Sequence, residues 1–127
     1  MNAPFPVVPP TAPRAGFPAA IPTSTSFDIA GCRVTRTIGV VRGITVRSPN
    51  AIQGLTAGIK SIFGGEISEF TSVCEQTRQQ AFDQMVAHAR ALGANAVVGI
   101  RYDASTLANT TEVLCYGTAV TVVTETL

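Results

Sequence analysis

The chain has 127 residues, 46% of them apolar and 13% charged, and nine Lys+Arg against eight Asp+Glu leave a net charge of +1. That length holds one domain, and the charge balance excludes the basic stripe with which proteins displace counterions from nucleic acid. No apolar run approaches the ~20 residues of a spanning helix, so the shortage of charge points to surface hidden between subunits, not in a bilayer.

The arginines (Arg14, Arg33, Arg36, Arg42, Arg47, Arg78, Arg90 and Arg101) are scattered, and Lys60 is the one lysine. Cys32, Cys74 and Cys115 are odd in number and widely spaced, without a C-x-x-C pair. That pattern argues for a reducing compartment, here the cytoplasm, over a disulfide framework. Prolines interrupt every apolar stretch near the start, so no signal peptide is expected.

Residues 1–26 hold seven of the eight prolines and read as an extended arm of polyproline II character. Phe5, Val7, Val8, Phe17 and Ile21 could dock on a neighbour, and Pro10 and Pro13 have the PxxP spacing of a segment that recruits a protein partner. The regular domain is expected over residues 27–127. In residues 33–46, Val34, Ile38, Val40, Ile44 and Val46 occupy even positions, while Arg33, Thr35, Thr37 and Thr45 occupy odd ones. This period of two predicts a strand with its even face buried and its odd face wet.

Residues 49–63 carry Ile52, Leu55, Ile59, Ile62 and Phe63 at helical spacing, and Gly64-Gly65 ends that short helix. A longer helix is predicted over residues 66–92. Phe70, Cys74, Thr77, Ala81, Met85 and Leu92 form its stripe, widened by Phe82, Val86 and Ala89, with Gly93 as its C-terminal cap. A second strand alternates Ala96, Val98, Ile100, Tyr102 and Ala104 with Val97, Gly99, Arg101, Asp103 and Ser105. After a polar loop at Asn109, a last strand over residues 112–124 is apolar on both faces. One helical layer covers one face of a sheet, so the other face of that strand calls for a second copy.

These residues carry a family resemblance. Residues 89–100, ARALGANAVVGI, are similar to the signature of the YbjQ-like family of small bacterial and archaeal proteins. So are Gly39-Val40-Val41 with Gly43, Ile62-Phe63-Gly64-Gly65, Arg78 with Ala81-Phe82, and Tyr116-Gly117-Thr118-Ala119-Val120. The ordered set spans residues 26–123 and leaves the arm outside. The resemblance implies an α+β subunit of β-α-β-β order, its short and long helices on one face of an antiparallel sheet. It also implies assembly into a homo-oligomeric ring, typically a pentamer or stacked pentamers. The family carries a heavy-metal label but no established reaction.

The candidate metal ligands are Cys74, Cys115 and the one histidine, His88, with Cys32 at the start of a strand. Cys74 and His88 lie fourteen positions apart on one helix, ~21 Å at 1.5 Å per residue, so they cannot share an ion within one subunit. Symmetry-related copies could still build a site. No other cofactor is expected. Arg78 falls inside the apolar arc of the long helix, where a charge needs a partner. It is either paired with Asp103 or Glu112, or it is the anion contact of a pocket between subunits. No serine or cysteine has a motif-placed histidine and acid, and Glu66 and Glu69 suit the helix dipole better than catalysis.

The sequence therefore predicts a non-enzymatic homo-oligomeric scaffold or binding module. A small-ligand or heavy-metal-binding protein with sites between subunits is the alternative, and an enzyme with a composite inter-subunit site is third.

Overall fold

The computed structural model describes residues 20–48 and 68–125. The expected short helix at 49–63, the Gly64-Gly65 break and arm residues 1–19 lie outside the described residues. Within them the chain runs β1 (Cys32–Arg47), α1 (Ser68–Ala91), β2 (Ala96–Leu107) and β3 (Thr110–Thr124). The three strands form one antiparallel sheet in the order β1-β3-β2. This is the predicted α+β class and order of elements.

Helix α1 stops where the sequence says it should. Gly93 takes φ 88°, its N–H donates to the Arg90 carbonyl, and the Ala94 N–H donates to the Ala89 carbonyl. That paired closure needs a residue free to enter the left-handed region, and glycine enters it without a Cβ penalty. Asn95 then does what a strand residue would do. Its Nδ2 donates to the Val122 carbonyl at 3.0 Å, and its Oδ1 accepts from the Val122 N–H at 2.8 Å. The side chain thus clamps the entry of β2 onto β3 before the backbone ladder begins.

The helix lies over β1 and β3 and barely reaches β2. Thr77, Ala81, Met85 and Ala89 face the sheet and are buried, with Phe82 and Val86 at the margin. Cys74 and Leu92, both expected in the stripe, are exposed. The core under α1 joins Val41, Ala81, Met85, Ala89, Val97, Ile100, Val113, Cys115 and Ala119.

In β1 the period of two holds, but over residues 40–46 its wet and buried sides are the reverse of the expectation. Val40, Ile44 and Val46 are exposed, whereas Val41, Gly43 and Thr45 are buried beneath α1. The reason is Gly43. A Cβ there would run into the Ala81 carbonyl oxygen and lie 2.7 Å from both the Gln84 Cβ and the Met85 backbone nitrogen. The missing side chain is what lets the helix backbone settle on the odd face. Glycine carries no hydrophobic signal, so counting apolar residues selects the wrong side.

In β2 the alternation changes face partway along. Ala96 and Val98 pair with Val120 and Thr118, and a register shift between Val98 and Arg101 follows. Gly99, at φ 64°, supplies the left-handed residue such a bulge requires. Past it, Tyr102 stands opposite Cys115 and Ala104 opposite Val113, so the even positions now face the helix side. The hairpin to β3 closes through Ala108 and Asn109, both at positive φ (51° and 65°), the pattern of a tight two-residue turn.

The sheet face away from α1 is covered at one end. Ala96, Val98, Val120 and Val122 are buried there, with Ile29, Cys32 and Val34 packed on them. That part of β3 therefore finds its second partner within its own chain, not in a neighbour. Residues 22–26, expected to belong to the arm, run along the β2 edge. Val97 and Ile100 N–H donate to the carbonyls of Pro22 and Ser24, Gly99 N–H to that of Ser26, and Ser24 N–H to that of Val97. Thr23 bridges Val97 in parallel.

Candidate functional site

Two places stand out: a sulfur cluster under the helix, and the part of the opposite sheet face that no other described element covers. Cys115 projects from the middle of β3 into the core, where its Sγ lies 3.6 Å from Sδ of Met85 on α1. Both side chains are fully buried. The Gly99 bulge turns Tyr102 onto the same face, directly opposite Cys115 in the ladder. Burial pushes the Cys115 thiol up to about 11, tempered by the Tyr102 hydroxyl. The Tyr102 phenol is also held above its ordinary value, chiefly by burial and then by Cys115 and Glu75, with Arg78 opposing. At neutral pH the cluster is therefore a protonated thiol, a thioether and a neutral phenol.

Arg78 is exposed, with its guanidinium carbon 5.7 Å from the centroid of the Tyr102 ring. Because α1 sits over β1 and β3, the Arg78 side of the helix overhangs the uncovered part of β2. The expected acidic partners are on the other side of the sheet. Asp103 pairs with Leu114 and Glu112 with Val46, so both project from the face opposite the helix, and the Asp103 carboxylate accepts the Ala104 N–H.

The structure does not bring the three expected metal ligands together. Cys115 is buried, Cys74 is exposed on α1, and His88 is exposed at the β1 edge. There the His88 Nδ1 accepts the Arg42 N–H at 3.3 Å, and Gln84 Oε1 accepts the Ile44 N–H at 3.0 Å. Cys32 packs half-buried against the second cluster. Among the described residues, no group of three or more His, Cys, Asp or Glu could hold an ion. Sequence reasoning missed Met85 and Tyr102 as partners of Cys115. Met85 reads as an ordinary stripe residue, and the bulge hides the face that Tyr102 takes.

On the open face, Val40 is 68% exposed, Val46 59%, Ile44 44% and Tyr116 37%, with Leu114 half-buried among them. Arg42 and Arg101 rise from the same face as Asp103 and Glu112. No helix among the described residues is long and apolar enough to cross a membrane.

Comparison with known proteins gives a consistent family. A family model described as "Putative heavy-metal-binding", the YbjQ family, matches residues 21–123. A UPF0145 protein of Paraburkholderia phymatum is 55% identical over 98 residues, covering 76% of this chain and 88% of the relative. UPF0145 proteins of Burkholderia mallei and Burkholderia pseudomallei are 53% identical over the same shares. A crystal structure of a Pediococcus pentosaceus protein of unknown function, described as belonging to the DUF74 family, superposes with a TM-score of 0.54 at 15% identity. It covers 81% of this chain and 98% of that one, a likeness of fold alone.

The donor set can be tested against the metal in that description. A four-ligand zinc site of cysteine, histidine and carboxylate does not fit the described residues. The Cys115 thiol and Met85 thioether touch, but the core residues packed with them are apolar and add no further donor. The matched span and the close relatives together place this chain in the YbjQ (UPF0145) family.

Proposed function

We propose that the chain is a homo-oligomeric scaffold or binding module that assembles by burying the bare half of its open sheet face against copies of itself. The observation that carries this reading is the exposed group Val40, Ile44, Val46 and Tyr116 on one face of a three-stranded sheet. Left in water, such a patch costs free energy in proportion to its apolar area. Arg42 and Arg101 beside Asp103 and Glu112 give the face both signs of charge, so one copy can complement another. A closed ring, a pentamer or a stacked pair of pentamers, is the form we favour. Closure lets every copy bury the same surfaces.

The test is sedimentation velocity on the whole chain at micromolar concentration, beside Ile44→Lys and Tyr116→Lys. The expected result is a single assembled species that both substitutions convert to monomer while the far-UV circular dichroism stays unchanged. A wild-type chain that sediments as a stable monomer refutes the proposal.

A further inference from the structure

We propose that the open sheet face works as two unlike halves, the β1 half of one copy docking on the β2 half of the next. This rests on the self-association proposed above and names the residues that meet. The β1 half is Val40, Arg42, Ile44 and Val46, which project on one side at intervals of ~7 Å. Arg42 is the one charge in that stripe, and exposed apolar side chains flank it. The β2 half is built around Phe27, the most exposed large apolar side chain among the described residues, at 77%. Its ring lies over Gly99, where a Cβ would come within 3.1 Å of it, and 6.0 Å from the Arg101 guanidinium carbon. Asp103 follows two residues on, from the same side of β2 as Arg101.

Charge fits these halves to each other. Arg101 is turned back on its own chain, donating to the carbonyls of Thr25 at 2.8 Å and Ile100 at 2.7 Å. Asp103 is therefore the charge that the β2 half presents. One of its oxygens accepts the Ala104 N–H, which leaves the other for the guanidinium of Arg42 on the next copy. With that pair made, Phe27 rests on the apolar residues beside Arg42, and both apolar surfaces leave water. The same pair cannot form within one chain, because β3 separates the two strands and the residues stand in different rows, Arg42 opposite Tyr116 and Asp103 opposite Leu114. Strand-to-strand pairing is blocked at both margins. His88 and Gln84 hold the Arg42 and Ile44 amides, and Pro22, Ser24 and Ser26 hold those of Val97, Ile100 and Gly99. Copies must meet through side chains. Two unlike halves give a head-to-tail contact, which closes into a ring when its rotation allows.

The test is a mixing experiment on the full chain, read by sedimentation velocity and native mass spectrometry. Ile44→Lys spoils the β1 half and Phe27→Lys the β2 half, so each alone should be monomeric with an unchanged far-UV circular dichroism spectrum. Mixed in equal amounts, they should form a pair with one chain of each, held by the one intact contact, and grow no further. Phe27→Ala should raise the concentration at half-assembly at least ~tenfold. Arg42→Glu and Asp103→Arg should each weaken assembly, and both in one chain should restore it, because the pair is then reversed in sign. If the wild type assembles and Phe27→Lys does so equally, or if the mixture stays monomeric or grows beyond two chains, the two-half contact is overturned while self-association stands. A monomeric wild type overturns both. If Phe27→Lys does not fold, the charge reversal decides alone, and a double variant no better assembled than either single one overturns the contact.

Discussion

Gly43→Ala is the substitution by which the packing argument stands or falls. The added methyl would meet the Ala81 carbonyl oxygen, the Gln84 Cβ and the Met85 amide nitrogen, the last two at 2.7 Å. Two of the three contacts are helix backbone, so no rotamer change relieves them, and α1 must rise from β1. Overpacking of this kind costs ~1–3 kcal/mol. Raising the helix also withdraws the acceptors Gln84 Oε1 and His88 Nδ1 from the Ile44 and Arg42 amides, at about 1 kcal/mol each. The total is roughly 3–5 kcal/mol, a large share of a typical stability of about 5–15 kcal/mol. Urea unfolding followed by far-UV circular dichroism measures it, at fixed chain concentration so that any self-association contributes equally. Gly117→Ala is the control. Its methyl would meet Val97 and Ile100 side-chain atoms at 2.9 and 3.1 Å and one carbonyl, that of Val98, at 3.1 Å, and should cost less. A Gly43→Ala chain within 0.5 kcal/mol of the parent would refute the reasoning.

Asn95→Ala removes both side-chain bonds to Val122 and should destabilise by about 1–3 kcal/mol, with Val122 N–H losing protection in hydrogen exchange. Deleting residues 1–26 removes the four backbone bonds that cover the start of the β2 edge. The melting temperature should fall well below that of a chain lacking residues 1–19. With a thiol reagent at pH 8, Cys74 should react at once, whereas Cys115 should react at the rate of unfolding, because one is exposed and the other buried. The Cys115 thiol is raised to about 11 in the fold against ~8.5 in a free chain. Its contribution to stability is therefore complete below ~8.5 and is lost as pH rises toward 11. Alkaline urea titrations should show this decline, and Cys115→Ala should flatten it.

Much of the fold was legible because its signals are local. The helix ends at Gly93 because one residue type enters the left-handed region cheaply, and that is visible in a string. The doubly apolar last strand was legible too, since both of its faces do carry buried residues. What failed was the choice of face. Gly43 and Thr45 carry no hydrophobic signal, yet they lie under the helix. Gly99 reverses the alternation of β2 by adding one residue to one side of the ladder, and no period count detects this without its partner strand. The same bulge concealed Tyr102 from the reading of Cys115. Helical spacing alone puts Arg78 inside the apolar arc, which holds only for a helix centred on its sheet. The helix is displaced toward β1, which leaves Arg78 over an aromatic ring at the margin.

The displacement of α1 toward β1 has a bearing on runaway polymerisation. Lateral growth, in which each new molecule adds its strands to the last, requires both outer strands to present free amides. Gln84 and His88 reach over from the helix and occupy those of Ile44 and Arg42 midway along β1, while the tract from Pro22 to Ser26 sits against the start of β2. Molecules of this kind can stack face to face into a finite body, but the continuous ribbon that seeds a fibril finds both of its docking rails partly obstructed.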